Sequence, residues 1–492
     1  MKDLKEKTIR GGVAKLCSQA ANFALRVGSL MALARLLNPK DFGLVGMVTA
    51  VIGVLSLFRD FGLSTATIQR DFISEEQSST LFWVNIAIGT LLTLISIAAA
   101  PFVAAFYHEP SLVKVTVVLA LGFLLNAAGV QHSALLQRQM RFTAMSVIDI
   151  LSLVSSIAVA IEMALHGYRY WALVGMAIVA PLVSAICFWL ATAWVPRMPS
   201  KQVELRSMIH FGGTITLNGL VVYVAYNFEK VLLGRFWGAE AVGIYGRAYQ
   251  LISIPTDNLN SAVGGVAFAA LSRLQNDLVR LKGYFLKCYA FVLALAVPAT
   301  IACALLANEL IFVFLGAKWK DAVPIFRLLA PTMVSLALMN PFSWLLFALG
   351  MVERSLKIAL VIAPLVITAY LLGLPYGPKG VALAYSIAMV FWVVPHIVWC
   401  VHGTIISYRD IFAIASRPLL SGVVAGALAV GVLFLFGHAL SPILRLLLGG
   451  GVLLGAYAGM LLYVMGQKSF YLDLLRALRQ RSPVEEQVLA SA

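Results

Sequence analysis

The chain has 492 residues, of which 61% are hydrophobic and only 12% are charged, and its formal net charge is +15. The mean hydropathy is +0.90, whereas a soluble protein carries about 25% charged residues. These values exclude an ordinary soluble protein, and they predict that the basic residues face anionic lipid rather than nucleic acid.

Fourteen apolar segments follow one another along the chain. Each is long enough to cross ~30 Å of hydrocarbon as a helix that rises 1.5 Å per residue. Because backbone groups in a bilayer must pair within their own segment, we predict an all-α polytopic membrane protein. No cleavable signal peptide is expected, since the N-terminus leads straight into the first segment. The predicted spans are 12–36, 42–64, 79–106, 112–132, 143–165, 170–194, 208–234, 241–268, 285–306, 322–348, 355–374, 378–401, 412–437 and 441–465.

Lysine and arginine in the short loops indicate the orientation. If the N-terminus is cytoplasmic, the inner loops and ends contain 22 of these residues and the outer loops contain 9. Cytoplasmic loops of membrane proteins carry the excess of positive charge. We therefore expect both the N-terminus and the C-terminus to lie in the cytoplasm.

Two stretches 200 residues apart, ARLLNPKDFGLVG and GRFWGAEAVGIYG, indicate an internal repeat. Each ends an odd-numbered segment and begins the next. The aligned pairs are Gly12 with Gly212, Arg35 with Arg235, Gly43 with Gly243 and Gly46 with Gly246. Six segments per half is an even number, so both halves enter the membrane from the same side as parallel repeats. Two parallel six-helix repeats around a central cavity are typical of a transporter.

These patterns also predict the domain organisation. An N-terminal six-helix lobe is expected at 1–194 and a C-terminal six-helix lobe at 208–401. Two additional transmembrane helices follow at 412–465, and a cytoplasmic tail is expected at 466–492.

Enzymatic signatures are missing from the sequence. There is no G-x-x-x-x-G-K-[ST] phosphate-binding loop and no H-E-x-x-H zinc motif. The five cysteines show no paired spacing, so we expect no metal and no cofactor. The loops are too short to hold a sugar-transferring domain, which favours a secondary-type transporter over a membrane-bound glycan polymerase or ligase.

Charged residues at membrane depth are the candidate functional residues, because such groups face the protein interior or a wet cavity. Arg26 lies near the middle of the first segment, and Lys15 lies on the same helical face at about 100° per residue. Asp257 lies near the middle of the eighth segment, just after Pro255. The predicted substrate-binding residues are Lys15, Asn22, Arg26, Arg59, Tyr223, Lys230, Arg247 and Tyr249. The predicted coupling residues are Asp60, Glu229 and Asp257.

Two interpretations of these residues remain open. They line a substrate cavity, or they hold helices together through hydrogen bonds. Tyr249 also fits an ordinary aromatic residue of the membrane interface. If they line a cavity, its cations outnumber its acids and favour an anion, since arginine binds phosphate through paired N–H groups. Tyrosine and asparagine beside them suit sugar hydroxyls.

Three stretches carry a resemblance to a known family: FGLVGMVTAVIGVLSLFRDFGLSTATIQRDFISEEQSSTLFWVNIAIG, LLQRQMRF and NFEKVLLGRFWGAEAVGIYGRAYQLISIPTDNLN. They resemble the polysaccharide transport family, and most of all its colanic-acid-type Wzx exopolysaccharide flippases. That family is a branch of the multidrug, oligosaccharidyl-lipid and polysaccharide flippase superfamily. The resemblance covers roughly residues 8–470 and carries no residue-by-residue site.

The resemblance implies a two-lobed helical bundle in the bacterial inner membrane. It also implies transport of undecaprenyl-diphosphate-linked oligosaccharide repeat units for exopolysaccharide or lipopolysaccharide biosynthesis. Expected partners are the lipid-linked substrate, the bilayer, and the polymerase and export machinery of the same pathway. A cation-coupled small-molecule antiporter of the multidrug type is the main alternative, and it would require acidic residues in the cavity.

Overall fold

The computed structural model describes residues 21–59, 74–199, 206–437, 440–469 and 471; at 206–218 and 262 it describes the backbone only. The described residues form helices and no β-strand. The helices are α1 at 21–36, α2 at Pro39–Ser56, α3 at Glu75–Tyr107, α4 at Ser111–Arg138, α5 at Phe142–Leu165, α6 at Tyr170–Thr192, α7 at Arg206–Arg273, α8 at Leu278–Leu305, α9 at Ala307–Phe314, α10 at Ala322–Met339, α11 at Pro341–Ala348, α12 at Val352–Gly373, α13 at Gly377–Val401, α14 at Tyr408–Phe436 and α15 at Pro442–Gly459.

The expected all-α polytopic fold is confirmed. Among the described residues, ten helical segments are long and apolar enough to cross a membrane. One of them, Val352–Val401, contains two of the predicted segments. The predicted segments 12–36, 208–234 and 241–268 are not among the ten, and the total of fourteen stays a prediction.

Helix ends follow local sequence signals. At the start of α3, the Ser74 hydroxyl accepts a hydrogen bond from the Gln77 backbone N–H at 3.1 Å. The Gln77 side chain accepts one from the Ser74 backbone N–H, also at 3.1 Å. This reciprocal pair is a capping box, and it lies within the ISEEQ stretch that carries part of the family resemblance.

A glycine interrupts α7 where the sequence predicted two segments. Gly238 has φ 80° and ψ 179°, a conformation that side chains other than glycine rarely adopt. Its repeat equivalent 200 residues earlier is Asn38, the residue that caps the start of α2. The chain therefore changes direction at equivalent positions of the two repeats.

The region after α8 differs from the sequence prediction. The predicted segment 322–348 is divided into α10 and α11, and Asn340 and Pro341 stand at the division. The preceding loop contains the eight-residue helix α9, which the sequence analysis did not predict. Trp319 follows α9 and is fully buried.

The described residues group into two compact units. Unit 1 comprises the described parts of Met1–Arg247, Phe314–Ala322 and Ala359–Tyr385. Unit 2 comprises the described parts of Ala248–Val313, Val323–Ile358 and Ser386–Ala492. These boundaries divide the predicted C-terminal lobe, whose extent stays a prediction.

Unit 1 contains α1 to α6 and the first part of α7. Small residues allow close helix contacts, as is common in membranes. An ideal Cβ on Gly89 of α3 would lie 2.6 Å from the Ala127 Cβ of α4. The Thr93 hydroxyl joins the same two helices by donating to the Ala120 carbonyl at 3.0 Å.

Unit 2 includes α8, α14 and α15, whose buried residues form one apolar cluster. Gly422 of α14 lies against Val297 and Ile301 of α8. Outside the cluster, Arg445 Nε lies 3.3 Å from a carboxylate oxygen of the buried Glu309. The cluster consists of Val297, Ala425, Ala429, Leu453, Tyr457 and Leu461.

Candidate functional site

A polar cavity of about 310 Å³ lies in unit 1 among α4, α5, α6 and the residues that follow α2. Arg59 comes directly after α2, Asp149 lies on α5 and Ser184 lies on α6. The cavity therefore combines a cation, an acid and neutral polar groups. Its lining residues are Arg59, Leu125, Asn126, Gly129, Val130, Ser133, Ala134, Gln137, Asp149, Ser184 and Phe188.

One face of α4 supplies the neutral polar groups. Asn126, Ser133 and Gln137 are spaced by seven and four residues, and at about 100° per residue they share one side of the helix. Gly129 lies between them, where an ideal Cβ would be 3.4 Å from the Ala185 Cα of α6. Close approach of α4 and α6 thus leaves the polar face open to the cavity.

The amides and hydroxyls of this wall keep acceptor atoms for a ligand. The Asn126 amide nitrogen donates to the Gly122 carbonyl at 2.6 Å. The Ser184 hydroxyl donates to the Pro181 carbonyl at 3.1 Å. Each bond uses a donor of the side chain and leaves its oxygen able to accept, which suits the hydroxyl groups of a sugar.

The charged groups of unit 1 gather at this cavity. Arg59 is half-buried, and its Nε is buried without a hydrogen-bond partner among the described residues. Asp149 lines the same cavity and interacts electrostatically with Arg26 of α1. Two of the predicted cations are therefore associated with one acid that the sequence analysis did not select.

The lead helix α1 presents Arg26 as an exposed side chain. Asn22 is half-buried one turn before it. The Ser29 hydroxyl donates to the Arg26 carbonyl at 2.9 Å, so this serine is engaged with its own helix. Lys15, predicted on the same face, lies outside the described residues, as does Asp60.

Tyr223 connects α7 to α2 through its hydroxyl. The hydroxyl donates to the Thr49 carbonyl at 3.0 Å. An ideal Cβ on Gly53 would lie 1.8 Å from the Tyr223 oxygen, so the ring occupies space that only glycine leaves free. This contact corresponds to the helix-joining interpretation of Tyr223.

Further along α7, Lys230 is paired within its own helix. Its Nζ donates to the Asn227 side-chain oxygen at 2.7 Å. The neighbouring Glu229 is only 2% exposed, and its Oε2 has no hydrogen-bond partner among the described residues. The structure therefore places both residues in the protein interior.

The remaining predicted residues lie elsewhere. Arg247 is in unit 1, with its guanidinium carbon 4.1 Å from the centre of the Phe42 ring, which is a cation–π contact. Tyr249 is half-buried and Asp257 is exposed, and both belong to unit 2. The roles of all the predicted site residues stay predictions.

Sequence analysis missed the polar wall of α4 and the acid of α5. The spacing of Asn126, Ser133 and Gln137 is readable as a helical face, but each residue alone is an ordinary polar residue of a membrane helix. Only the charged residues were expensive enough to attract attention.

The family comparison covers residues 32–324, which match the family described as "Polysaccharide biosynthesis protein" over more than half of the chain. The chain belongs to this polysaccharide biosynthesis protein family.

Curated members of this kind support the assignment over most of the length. The chain is 26% identical to the lipopolysaccharide biosynthesis protein WzxC of Escherichia coli (strain K12), over 79% of each chain. It is 23% identical to the succinoglycan biosynthesis transport protein ExoT of Rhizobium meliloti (strain 1021), over 97% of each chain. It is 33% identical to the teichuronic acid biosynthesis protein TuaB of Bacillus subtilis (strain 168), over 59% of this chain and 61% of that protein.

Solved structures show the same fold. The lipid II flippase MurJ, in an inward closed conformation, matches with a TM-score of 0.73 at 15% identity, over 95% of this chain and 100% of that one. An inward-facing multidrug resistance MATE transporter of the MOP superfamily matches with a TM-score of 0.59 at 16% identity, over 80% and 95%. The resemblance stated from the sequence is confirmed: this polysaccharide biosynthesis family member is a multi-pass membrane transporter of that superfamily, not an enzyme.

Proposed function

We propose that the chain moves oligosaccharide repeat units, joined by a diphosphate to a polyprenyl lipid, from the cytoplasmic to the periplasmic leaflet of the bacterial inner membrane. The relatives named for polysaccharide transport and the flippase fold support this proposal. Alternating access of two parallel repeats provides the movement. Glycan polymerase and export proteins of the same pathway are the proposed partners.

The unit 1 cavity is the observation that carries the proposal. Arg59 and the nearby Arg26 supply cationic groups for the diphosphate, because guanidinium groups bind phosphate oxygens through paired N–H donors. The α4 wall of Asn126, Ser133 and Gln137 supplies amide and hydroxyl groups for the first sugars. A substrate that carries both an anion and hydroxyl groups matches both parts of the lining.

Reconstituted vesicles test this function. The purified full chain, in vesicles that contain a fluorescent undecaprenyl-diphosphate oligosaccharide, should speed movement of the labelled sugar between leaflets at least tenfold over protein-free vesicles. A membrane-impermeant quencher reports the outer fraction, and mass spectrometry should show no new glycosidic bond. Movement no faster than in protein-free vesicles would contradict the proposal, and gradient-driven uptake of a lipophilic cation would favour the antiporter.

Topology reporters test the orientation that this direction of transport requires. A reporter fused after Lys201 should be active in the cytoplasm, and one fused after Lys379 should be active in the periplasm. The expectation follows from the excess of inner positive charge. Alkaline phosphatase and a fluorescent protein, fused in parallel at each position, measure it. The same location for both fusions would contradict the segment assignment between them.

A further inference from the structure

Two glycines that the sequence repeat aligns, Gly43 and Gly243, lie in contact inside unit 1. An ideal Cβ on Gly43 would be 1.6 Å from the Ala239 carbonyl oxygen. An ideal Cβ on Gly243 would be 1.9 Å from the Pro39 carbonyl oxygen. Pro39 and Ala239 are themselves 200 residues apart, so each residue contacts the neighbourhood of its own equivalent. Such reciprocity is the property of a contact on a twofold axis.

We call this contact the glycine seam. It comprises residues 39–46 of α2 and 239–246 of α7. Neither glycine has a positive φ, so backbone conformation does not require glycine at these positions. Space does, because a side chain at either position would overlap a carbonyl group of the opposite segment. Further along, an ideal Cβ on Gly46 would be 3.2 Å from the Val242 Cγ1, which makes this the edge of the seam.

An aromatic cluster covers one flank of the seam. Arg247 lies over the Phe42 ring at 4.1 Å, and that ring meets Trp319 edge-on at 5.4 Å. The Trp319 indole N–H donates to the Ala34 carbonyl at 2.8 Å. Individually, such contacts contribute only about 0.5–2 kcal/mol each. They hold the flank together without making it permanent.

The seam joins equivalent segments of two repeats that alternating access must move relative to each other. In the proposed orientation both segments begin at the periplasmic ends of their helices, next to the outer loops. A contact between the repeats at that end is incompatible with an opening there. It therefore has to break whenever the substrate leaves toward the periplasm.

We propose that the glycine seam is a reversible closure of the periplasmic end of unit 1, and that it parts once in each transport cycle. Gly43 and Gly243 allow backbone contact when the seam is closed, and Arg247 acts as a positioning residue on its flank. The direction of opening rests on the proposed function, whereas the existence of the seam rests on the geometry alone.

A reversible disulfide across the seam tests the proposal. The full chain, with Cys17, Cys187, Cys288, Cys303 and Cys400 replaced by serine, carries Gly46→Cys and Val242→Cys. A protease site in the linker after Arg197 reports the cross-link as a failure of the fragments to separate. Oxidation should cross-link most of the protein and reduce flipping in vesicles at least tenfold, and a reducing agent should restore it.

A matched pair in unit 2 controls for cross-linking as such. An ideal Cβ on Gly426 of α14 would be 3.1 Å from the Ile301 Cγ2 of α8, nearly the distance found at the seam. α14 lies outside the predicted repeats, so a Gly426→Cys and Ile301→Cys bridge should leave flipping within about twofold. Each single cysteine should respond to neither oxidant nor reductant.

Alanine substitutions provide a second measurement that needs no disulfide in the transport assay. Gly43→Ala and Gly243→Ala should each lower the cross-linking yield of the Gly46–Val242 cysteine pair by at least fivefold. Gly246→Ala is the control, because an ideal Cβ there meets nothing within 4 Å. Alanine is the better helix former, so that control should insert and cross-link normally.

The outcomes separate the seam from the function. Full flipping by the oxidised seam pair would show a permanent contact and overturn the proposal. Failure of that pair to cross-link in membranes would overturn it as well. Cross-linking as expected, with no flipping in any reduced variant, would leave the closed seam in place and contradict the proposed function instead.

Discussion

Arg26→Gln should nearly abolish export of surface polysaccharide and leave the lipid-linked precursor on the cytoplasmic face. Arg26 is an exposed cation on the lead helix α1, close enough to Asp149 for electrostatic interaction, and Asp149 lines the polar cavity. A hydrogen bond to a charged group contributes about 1.5–3 kcal/mol. Each 1.4 kcal/mol is a factor of ten, so binding of the diphosphate should weaken by roughly 10- to 100-fold.

The measurement is surface polysaccharide per cell, normalised to the amount of protein inserted in the membrane. Arg26→Lys should be intermediate, because lysine keeps the charge and loses the paired N–H donors. Lys379→Gln removes an exposed cation of the same unit and should leave export unchanged. Normal export by a well-inserted Arg26→Gln protein would show that the arginine only joins helices.

Asp149→Asn should bind the lipid-linked diphosphate about tenfold more tightly and flip it more slowly. The carboxylate interacts with Arg26 and shares the cavity with Arg59, so it competes with the substrate anion for the same cations. Removing the competitor strengthens binding, by roughly the 1.4 kcal/mol that corresponds to a factor of ten. Release of the product should then limit the rate.

Asp257→Asn is the comparison that distinguishes an anion competitor from a coupling residue. Asp257 belongs to unit 2, and its predicted coupling role requires a carboxylate that gains and loses a proton. The asparagine variant should keep its affinity for the lipid-linked diphosphate and lose the response of flipping to an imposed proton gradient. Equilibrium binding in detergent and gradient-driven flipping in vesicles measure the two effects. Unchanged affinity in Asp149→Asn would remove the competition from the mechanism, and a preserved gradient response in Asp257→Asn would remove the coupling role.

Sequence reasoning succeeded where a single local rule dominates. The bilayer forces continuous apolar segments into helices, so the composition alone predicted the all-α fold. Aligned glycines predicted a repeat, and Gly43 and Gly243 lie against each other in the structure. The high free-energy cost of a charge in hydrocarbon made Arg26 and Arg59 recognisable as candidates.

Tertiary structure decided which of those side chains share a site. A helical sequence defines the depth of a residue and its face, but not the helix that packs against that face. Tyr223 and Arg247 were equivalent candidates by depth and charge or polarity, yet one donates to the Thr49 carbonyl and the other lies over Phe42.

The sequence by itself determined the helices, the repeat and the excess of cations, because each depends on residues close in the chain or on a fixed offset between two stretches. Only the tertiary structure placed the amides and hydroxyls of α4 beside Arg59 and Asp149. It also paired Gly43 with Ala239 across about two hundred residues. The physical reason is that contacts between helices arise from the packing of whole surfaces, in which no single residue type specifies its partner.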